Sequence, residues 1–249
     1  MIELLTYKDL LLMRQSGKVA SEFLRKLKTI IKPGISTKDI EIFFEKTLDN
    51  YLDMKPAFKG FCGYPASLCV SVNEEIIHGI PTANKFLKEG DIVSVDLGIT
   101  YKGLFVDTAY TYFLNPVSKL ALNLIHTAYK ALKTAILAIK IGKHIGDIGF
   151  TIENFVERRG FSVIKKFVGH GVGRNLHCPP QVPNFGIPGS GERLLEGMVL
   201  AIEPMVVAGS NEIEILEDGW TVKTKDNSLS AHFEHTVAVT KKGAWVLTE

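Results

Sequence analysis

Four acidic residues interrupt apolar, strand-like segments, and they constrain the fold of this chain more than any other feature. Asp96 lies in "IVSVDLGI", Asp107 in "LFVDTAY", Glu203 in "VLAIEPMVV" and Glu234 in "HFEHTVAV". Their apolar neighbours predict burial, and a buried carboxylate is costly unless its charge is balanced. A lone case is ordinarily a surface residue on a half-exposed strand. Four cases, one pair in each half of the chain, indicate a shared site.

The first pair lies on a predicted hairpin. If Tyr101 and Lys102 form the turn, Asp96 and Asp107 lie directly opposite each other on one face, where like charges are destabilising. Tyr-Lys is not a favoured two-residue turn, and a bulge at Gly103 would shift the register by one residue. The sequence therefore predicts two close carboxylates and leaves their register open.

Two histidines, His170 and His177, lie in "FVGHGVGRNLHCPPQVPNF" (167–185), where three glycines and three prolines fit neither a helix face nor a clean strand. If the four carboxylates converge, two divalent cations would balance their charge, and His170 would add a neutral nitrogen. Such mixed ligands suit divalent Mn, Fe, Co or Zn. Pairs of metal ions serve hydrolytic enzymes, including aminopeptidases.

The predicted elements follow the order of two helices and then strands, twice over. Capping boxes at Thr6–Asp9 and Ser36–Asp39 open the first two helices, Pro116 and Ser118 precede the third, and the fourth covers Ile148–Arg159. Strands are predicted at 67–73, 91–99, 104–114, 198–207, 212–216, 220–224 and 232–240.

A short internal match agrees with this order. The segments "IKPGISTKDI" (31–40) and "IKIGKHIGDI" (139–148) share five residues at an offset of 108. Matches at a fixed offset are typical of internal repeats. They predict an α/β (α+β) chain of two similar halves, roughly residues 1–115 and 116–249, within a single catalytic domain over 1–249.

Composition excludes several kinds of partner. The 29 basic and 27 acidic residues are well mixed and give a net charge of +2, so no basic surface for nucleic acid is predicted. The N-terminal "MIELLTYKDLLLMRQ" does not resemble a signal peptide, and no apolar run is long enough for a membrane span. Three cysteines without Cys-x-x-Cys spacing favour reduced thiols and a cytoplasmic location.

Several motifs together carry a family resemblance. They are "NEEIIHGIP" (73–81), "VSVDLG" with "VDTA", "FVGHGVGRNLH", and "AIEP" with "FEHTVAVT". With these motifs the chain resembles type I methionine aminopeptidases of the bacterial kind over essentially its whole length. The resemblance implies a pita-bread fold, in which two pseudo-symmetric halves form a central antiparallel sheet covered by helices.

The resemblance also implies an activity. Such an enzyme removes the N-terminal methionine from nascent proteins and peptides when the second residue is small, by attack of a hydroxide held between two metals on the first peptide bond. The implied cofactors are two divalent metal ions, Co, Mn, Fe or Zn, and the sequence does not distinguish among them.

The family's ligand order maps onto five residues of this chain. The resemblance implies that Asp96 chelates one metal, that Asp107 and Glu234 bridge both, and that His170 and Glu203 complete the second. Glu203 is also a candidate proton shuttle.

Two further histidines match family positions that do not bind metal. By resemblance, His177 donates to the oxyanion that forms on the scissile carbonyl, and His78 holds the peptide beyond the cleaved bond. Without the motifs, each would be interpreted as a loop histidine paired with backbone.

Six residues, which we call the methionine-pocket set, match the family's apolar pocket: Phe58, Phe61, Tyr64, Cys69, Leu176 and Trp220. Taken singly, each would be interpreted as ordinary core packing. Phe58, Phe61 and Leu176 differ from the residues common at these positions, and Cys178 lies in "HCPPQ" where the family is more acidic. The pocket's shape and its tolerance for the second residue therefore stay open.

Two rival functions share features with this sequence. Proline-specific aminopeptidases and prolidases have the same fold and ligand order, but usually carry a separate N-terminal domain. A metal-free relative acting as a binding module would have lost ligands, and all five are present here. The predicted partners are peptide and nascent protein N-termini, with a transient ribosome contact, no specific nucleic acid and no membrane, and the predicted state is a monomer.

Overall fold

Three of the four helices begin where the sequence predicts them. The computed structural model describes residues 2–249, in which the helices are α1 (Tyr7–Ile30), α2 (Thr37–Leu48), α3 (Lys119–Ala138) and α4 (Ile145–Glu157). Thr6 and Ser36 cap α1 and α2 through the predicted capping boxes. α4 begins earlier than predicted because Asp147 accepts a hydrogen bond from the backbone N–H of His144 at 2.8 Å. None of the helices within residues 2–249 has the length and apolarity of a membrane span.

Fifteen strands are present within the same residues. They are β1 (Met54–Pro56), β2 (Cys69–Val72), β3 (Glu75–Ile77), β4 (Ile92–Tyr101), β5 (Leu104–Phe113), β6 (Ser162–Val163), β7 (Gly169–Gly171), β8 (Cys178–Val182), β9 (Val199–Ile202), β10 (Met205–Val207), β11 (Ile213–Ile215), β12 (Val222–Thr224), β13 (Ser230–His232), β14 (His235–Thr240) and β15 (Gly243–Val246). The strands β1, β3, β6 and β15 were not predicted; their segments of two to four residues show little regular alternation of apolar and polar residues.

The strands pair antiparallel in four sheets, counted over residues 2–249. In the first sheet, β4 lies between β1 and β2 and also pairs with β5. The second half contributes the order β15-β14-β9-β7-β8 and the smaller sheet β13-β10-β6, and a third small sheet has the order β11-β12-β3. Helix α1 packs on β4 and β5, whereas α3 packs on β9, β10, β13 and β15.

Two segments that were each predicted to form one continuous strand are interrupted in the structure, so these predictions are wrong. The segment 198–207 is divided into β9 and β10 at Glu203-Pro204, and 232–240 is divided into β13 and β14 at Phe233-Glu234. Proline has no N–H to donate to a ladder, so the first break has a local cause. The stretch 167–185, predicted to be irregular, contains β7 and β8, which pair with each other.

The segments that match at an offset of 108 have the same backbone arrangement. Ile31 and Ile139 end α1 and α3 in extended conformation. Gly34 and Gly142 then follow with φ of 91° and 87°, values that glycine tolerates best. The two halves thus repeat one helix–turn–helix unit. That the chain functions as a single catalytic domain stays a prediction.

Candidate active site

The first two carboxylates lie diagonally across the β4–β5 hairpin. Asp96 pairs with Ala109 and Asp107 pairs with Gly98, so the predicted direct opposition is wrong. The turn is 102–103, whose φ angles of 51° and 76° are the positive values that a type I′ turn requires. Residues two positions apart on a strand share a face. Asp96 and Asp107 therefore point to the same side of the sheet.

The second pair of carboxylates lies at the two strand breaks. Ile202 at the end of β9 pairs with His235 at the start of β14, and β10 and β13 continue in the same register beyond the breaks. This register places Glu203 opposite Glu234. Both side chains are thus held between two well-paired ladders, where the backbone has little freedom to move.

Hydrogen bonds between the two halves bring the pairs together. The backbone N–H of Asp107 donates to Thr236 Oγ1 at 2.8 Å, and that hydroxyl donates to the carbonyl of Asp107 at 2.8 Å. Thr108 Oγ1 donates to the carbonyl of Glu234 at 2.8 Å, and the N–H of Glu234 donates to the carbonyl of Ala109 at 3.0 Å. β5 therefore lies directly against the segment that carries Glu234.

His170 faces this carboxylate group from β7. Its Nε2 lies 3.9 Å from Asp107 Oδ2 and 3.7 Å from Glu203 Oε1. Its Nδ1 lies 3.0 Å from the carbonyl oxygen of Gly171. A carbonyl only accepts hydrogen bonds, so Nδ1 carries the proton and Nε2 presents its lone pair to the carboxylates. Burial lowers the pKa of His170 to about 3, which keeps the ring neutral, as metal ligation requires.

The centre has the ligand atoms of a cation site, and its negative charge is not balanced by a cationic side chain of the described residues. Asp96 Oδ1, Asp107 Oδ1 and Glu234 Oε1 are buried without hydrogen-bond partners among the described residues. No lysine or arginine within residues 2–249 forms an ion pair with any of the four carboxylates. Three groups have ligand atoms all within 4.8 Å of one another: Asp96, Asp107 and Glu234; His170, Glu203 and Glu234; and Asp107, His170 and His177. These residues fit divalent metal ions with mixed oxygen and nitrogen ligands.

The pKa values of the four carboxyls are raised because they are buried close together without a compensating cation. Burial raises the pKa of Asp96 to about 7 and that of Glu203 to about 8. Burial, together with the neighbouring carboxylates, raises the pKa of Asp107 and of Glu234 well above their usual range. Without cations the centre therefore retains protons near neutral pH, and cation binding must displace them.

The carboxylate group forms part of the wall of one large cavity of about 1350 Å³, which also contacts all six residues of the methionine-pocket set. Within that set, Phe58, Tyr64, Cys69 and Leu176 form a buried apolar cluster, and Trp220 packs edge-on against Tyr64 with ring centroids 5.1 Å apart. Phe61 lies outside this cluster, more exposed, with its ring centroid 5.0 Å from that of His177.

His78 and His177 line the same cavity. The backbone of His78 has a φ of 59°, and its ring lies edge-on to Phe167 at 5.7 Å. The ring centroids of His177 and His170 are 4.0 Å apart. Burial lowers the pKa of His78 to about 4 and also lowers that of His177. Because one of the three ligand groups includes His177, the geometry allows it either to contact substrate or to bind metal.

Sequence reasoning missed one residue of the site, His232. Its Nε2 lies 3.6 Å from Glu203 Oε2, and its side chain is 1% exposed. A signal was present, because His232 precedes Glu234 by two residues, the spacing that places side chains on one face of a strand. Cys178, which also lines the cavity, is half-buried at the start of β8.

Comparison with known proteins agrees with this geometry. A methionine aminopeptidase of Clostridium perfringens is 44% identical over 248 residues, which cover 100% of this chain and 99% of the relative. The crystal structure of a methionine aminopeptidase from Thermotoga maritima superposes with a TM-score of 0.98 at 45% identity and covers 100% of both chains. These similarities confirm the predicted fold class.

More distant structures share the fold alone. The prolidase from Pyrococcus horikoshii superposes with a TM-score of 0.80 at 20% identity, over 99% of this chain and 63% of that chain. The model of metallopeptidase family M24 matches residues 11–241. Membership of this family implies a hydrolase that depends on metal, as the donor set of the cavity indicates. The chain belongs to metallopeptidase family M24.

Proposed function

We propose that this protein removes the N-terminal methionine from peptides and proteins whose second residue is small. The observation that carries this proposal is the position of a buried apolar pocket beside a carboxylate and imidazole centre in one cavity. The pocket suits an unbranched apolar side chain, and the centre suits hydrolysis. Peptide and protein N-termini are the corresponding substrates.

Five residues would hold the metal ions: Asp96, Asp107, His170, Glu203 and Glu234. When bound, two divalent ions supply Lewis acidity and make water nucleophilic near neutral pH. The unpartnered carboxylate oxygens and the outward lone pair of His170 Nε2 support this assignment.

The chain's own residues perform the remaining tasks. Phe58, Tyr64 and Leu176 enclose the methionine side chain and exclude water from it. His177 donates to the negative charge that develops on the scissile carbonyl, an interaction that strengthens in the transition state. His78 contacts the peptide beyond the cleaved bond. Glu203, whose Oε1 lies 3.7 Å from His170 Nε2 at the edge of the centre, accepts and returns a proton.

Cleavage assays on full-length protein test this function. Metal-free protein is loaded with Mn²⁺ or Co²⁺ and given peptides that begin Met-Ala-Ser, Met-Lys-Ser or Ala-Pro-Ser. We expect release of methionine from the first peptide only, uptake of two metal ions per chain, and loss of activity with chelator. Rapid cleavage of the Ala-Pro peptide with none of the Met-Ala peptide would instead place the chain with proline-specific enzymes.

A ligand variant provides the matched control for the metal assignment. Asp107→Asn keeps the size of the side chain and removes its charge, so metal uptake should fall while the protein stays folded. Unchanged activity in chelator, with less than one ion bound at saturating metal, would refute the two-metal centre. The monomeric state, the cytoplasmic location and a transient ribosome contact stay predictions, the first of them testable by sedimentation.

A further inference from the structure

His232 is a buried imidazole whose two ring nitrogens have no partner. The side chain is 1% exposed, and neither Nδ1 nor Nε2 forms a hydrogen bond with any described residue. A buried polar group without a partner is destabilising, and most buried polar atoms in proteins are paired. His232 therefore calls for an explanation that core packing does not give.

The backbone holds this ring in place. His232 pairs with Met205 in the β10–β13 ladder. Its N–H donates to Thr111 Oγ1 at 3.0 Å, and that hydroxyl lies 2.7 Å from the carbonyl of His232 and 2.9 Å from Ser94 Oγ. The backbone N–H and carbonyl of His232 are thus both bonded to Thr111 in the first half, and its strand pairs with β10 in the second half. Only the imidazole is left without a partner.

The ring faces one oxygen of Glu203. Nε2 of His232 lies 3.6 Å from Glu203 Oε2, while Nε2 of His170 lies 3.7 Å from Glu203 Oε1. Each carboxylate oxygen thus has its own imidazole, one on either side. A shift of a few tenths of an ångström brings the His232 contact within ordinary hydrogen-bond length.

We propose that His232 is a positioning residue of the metal centre: its Nε2–H donates to Glu203 Oε2 and thereby directs Oε1 toward the metal beside His170. This inference rests on the proposed function, because it takes Glu203 as a ligand. A carboxylate accepts hydrogen bonds only, so the pair requires the tautomer of His232 with the proton on Nε2.

Removing this donor should weaken metal binding. Hydrogen-bond partners of metal ligands typically contribute about 10- to 100-fold in metal affinity. The effect on folding should be smaller. Replacing the imidazole with an apolar side chain loses the Nε2–H bond to Glu203 but also removes the unpaired, buried Nδ1, and the second change offsets part of the first.

The test measures Mn²⁺ binding to full-length, metal-free protein by titration calorimetry, without substrate. We expect His232→Leu to raise the Kd of at least one Mn²⁺ site by about 10- to 100-fold, and His232→Gln, which keeps an N–H donor, to restore most of the affinity. If His232→Leu does not fold, His232→Met removes the donor from a side chain of similar reach.

His235→Gln is the matched control. His235 is a partly buried histidine beside Glu234, and its Nδ1 is paired with Thr248 Oγ1 at 3.0 Å, so the variant should bind Mn²⁺ like the parent. Parent affinity in His232→Leu would overturn the proposal. So would an equal loss in His232→Gln or in His235→Gln. A parent that binds two Mn²⁺ ions but does not cleave the Met-Ala peptide would refute the proposed function and leave this comparison valid.

Discussion

Gly98 lies between Asp107 of the proposed metal centre and Phe58 of the methionine-pocket set, and its substitution should narrow the proposed pocket. It lies on β4 opposite Asp107, and its carbonyl accepts a hydrogen bond from the N–H of Ala57 at 2.9 Å. A Cβ added at Gly98 would lie 2.7 Å from Phe58 Cε1 and 2.9 Å from Ala57 Cβ. The Phe58 ring can move, whereas Ala57 is held by the hydrogen bond of its backbone to β4, so its contact adds strain that a ring movement does not relieve.

The size of the effect follows from these distances. Ordinary van der Waals contact begins near 3.4 Å, so in Gly98→Ala the ring of Phe58 must shift by about 0.7 Å, and the neighbouring space is the pocket itself. Overpacking of this kind typically costs about 1–3 kcal/mol. Because the displaced ring occupies space that the substrate needs, binding must return the ring at about this cost, which corresponds to a fall in kcat/KM of about 5- to 150-fold. Mn²⁺ uptake should stay at the parent level, because no proposed ligand is changed.

A double-mutant cycle isolates the cause. Phe58→Leu removes Cε1, the nearer of the two colliding atoms, while Ala57 Cβ stays, so Gly98→Ala should lose less activity in that background than in the parent. The assay is kcat/KM on a Met-Ala-Ser peptide, with thermal unfolding measured for all four proteins. Equal losses in both backgrounds, or no loss in Gly98→Ala, would show that this steric argument is mistaken.

Two other predictions concern the titratable residues. His170→Ala should weaken one metal site and recover part of its activity at high metal concentration, whereas His177→Ala should keep its metal and lose about 100- to 1000-fold in kcat; metal titrations in which both variants behave alike would contradict the separate roles. Burial raises the pKa of Asp96 from 3.8 to about 7 and that of Glu203 from 4.5 to about 8, so the folded, metal-free protein binds protons that the unfolded chain has already released. The pKa values of the buried histidines, among them His78 at about 4 and His170 at about 3, are lowered from 6.5, so below about pH 6.5 they contribute a slope of the opposite sign. The free energy of unfolding should therefore fall as the pH rises from about 6.5 to about 8, and urea unfolding in chelator that shows constant or increasing stability over this range would disprove the linkage.

Local features of the chain were predictable from sequence, and so was the convergence of the four acidic residues on one cavity. The capping boxes at Thr6 and Ser36 depend on residues three positions apart, and short spacings are what a sequence shows directly. The hairpin register was not predictable in this way. The type I′ turn needs positive φ at Lys102, a value that a non-glycine residue adopts only in its structural context.

Long-range features escaped prediction. The break at Glu203 has a visible cause in Pro204, but nothing beside Glu234 marks the second break, which arises because its partner strand is interrupted there. His232 was missed for a related reason. The spacing of His232 and Glu234 indicates a shared face, but the burial of His232 and its approach to Glu203 depend on the pairing of β10 with β13, which the sequence alone does not show.

The contacts between β5 and the segment that carries Glu234 also determine when the centre can form. The bonds from Thr108, Thr111 and Asp107 join residues 121 to 129 positions apart in the chain. Contacts of such separation form late, since chain entropy must be lost before they contribute. Neither half alone contains the whole ligand set, so a growing polypeptide has no complete centre until Glu234 has emerged and the halves have docked. Acquisition of metal and the final step of folding are therefore expected to be a single event.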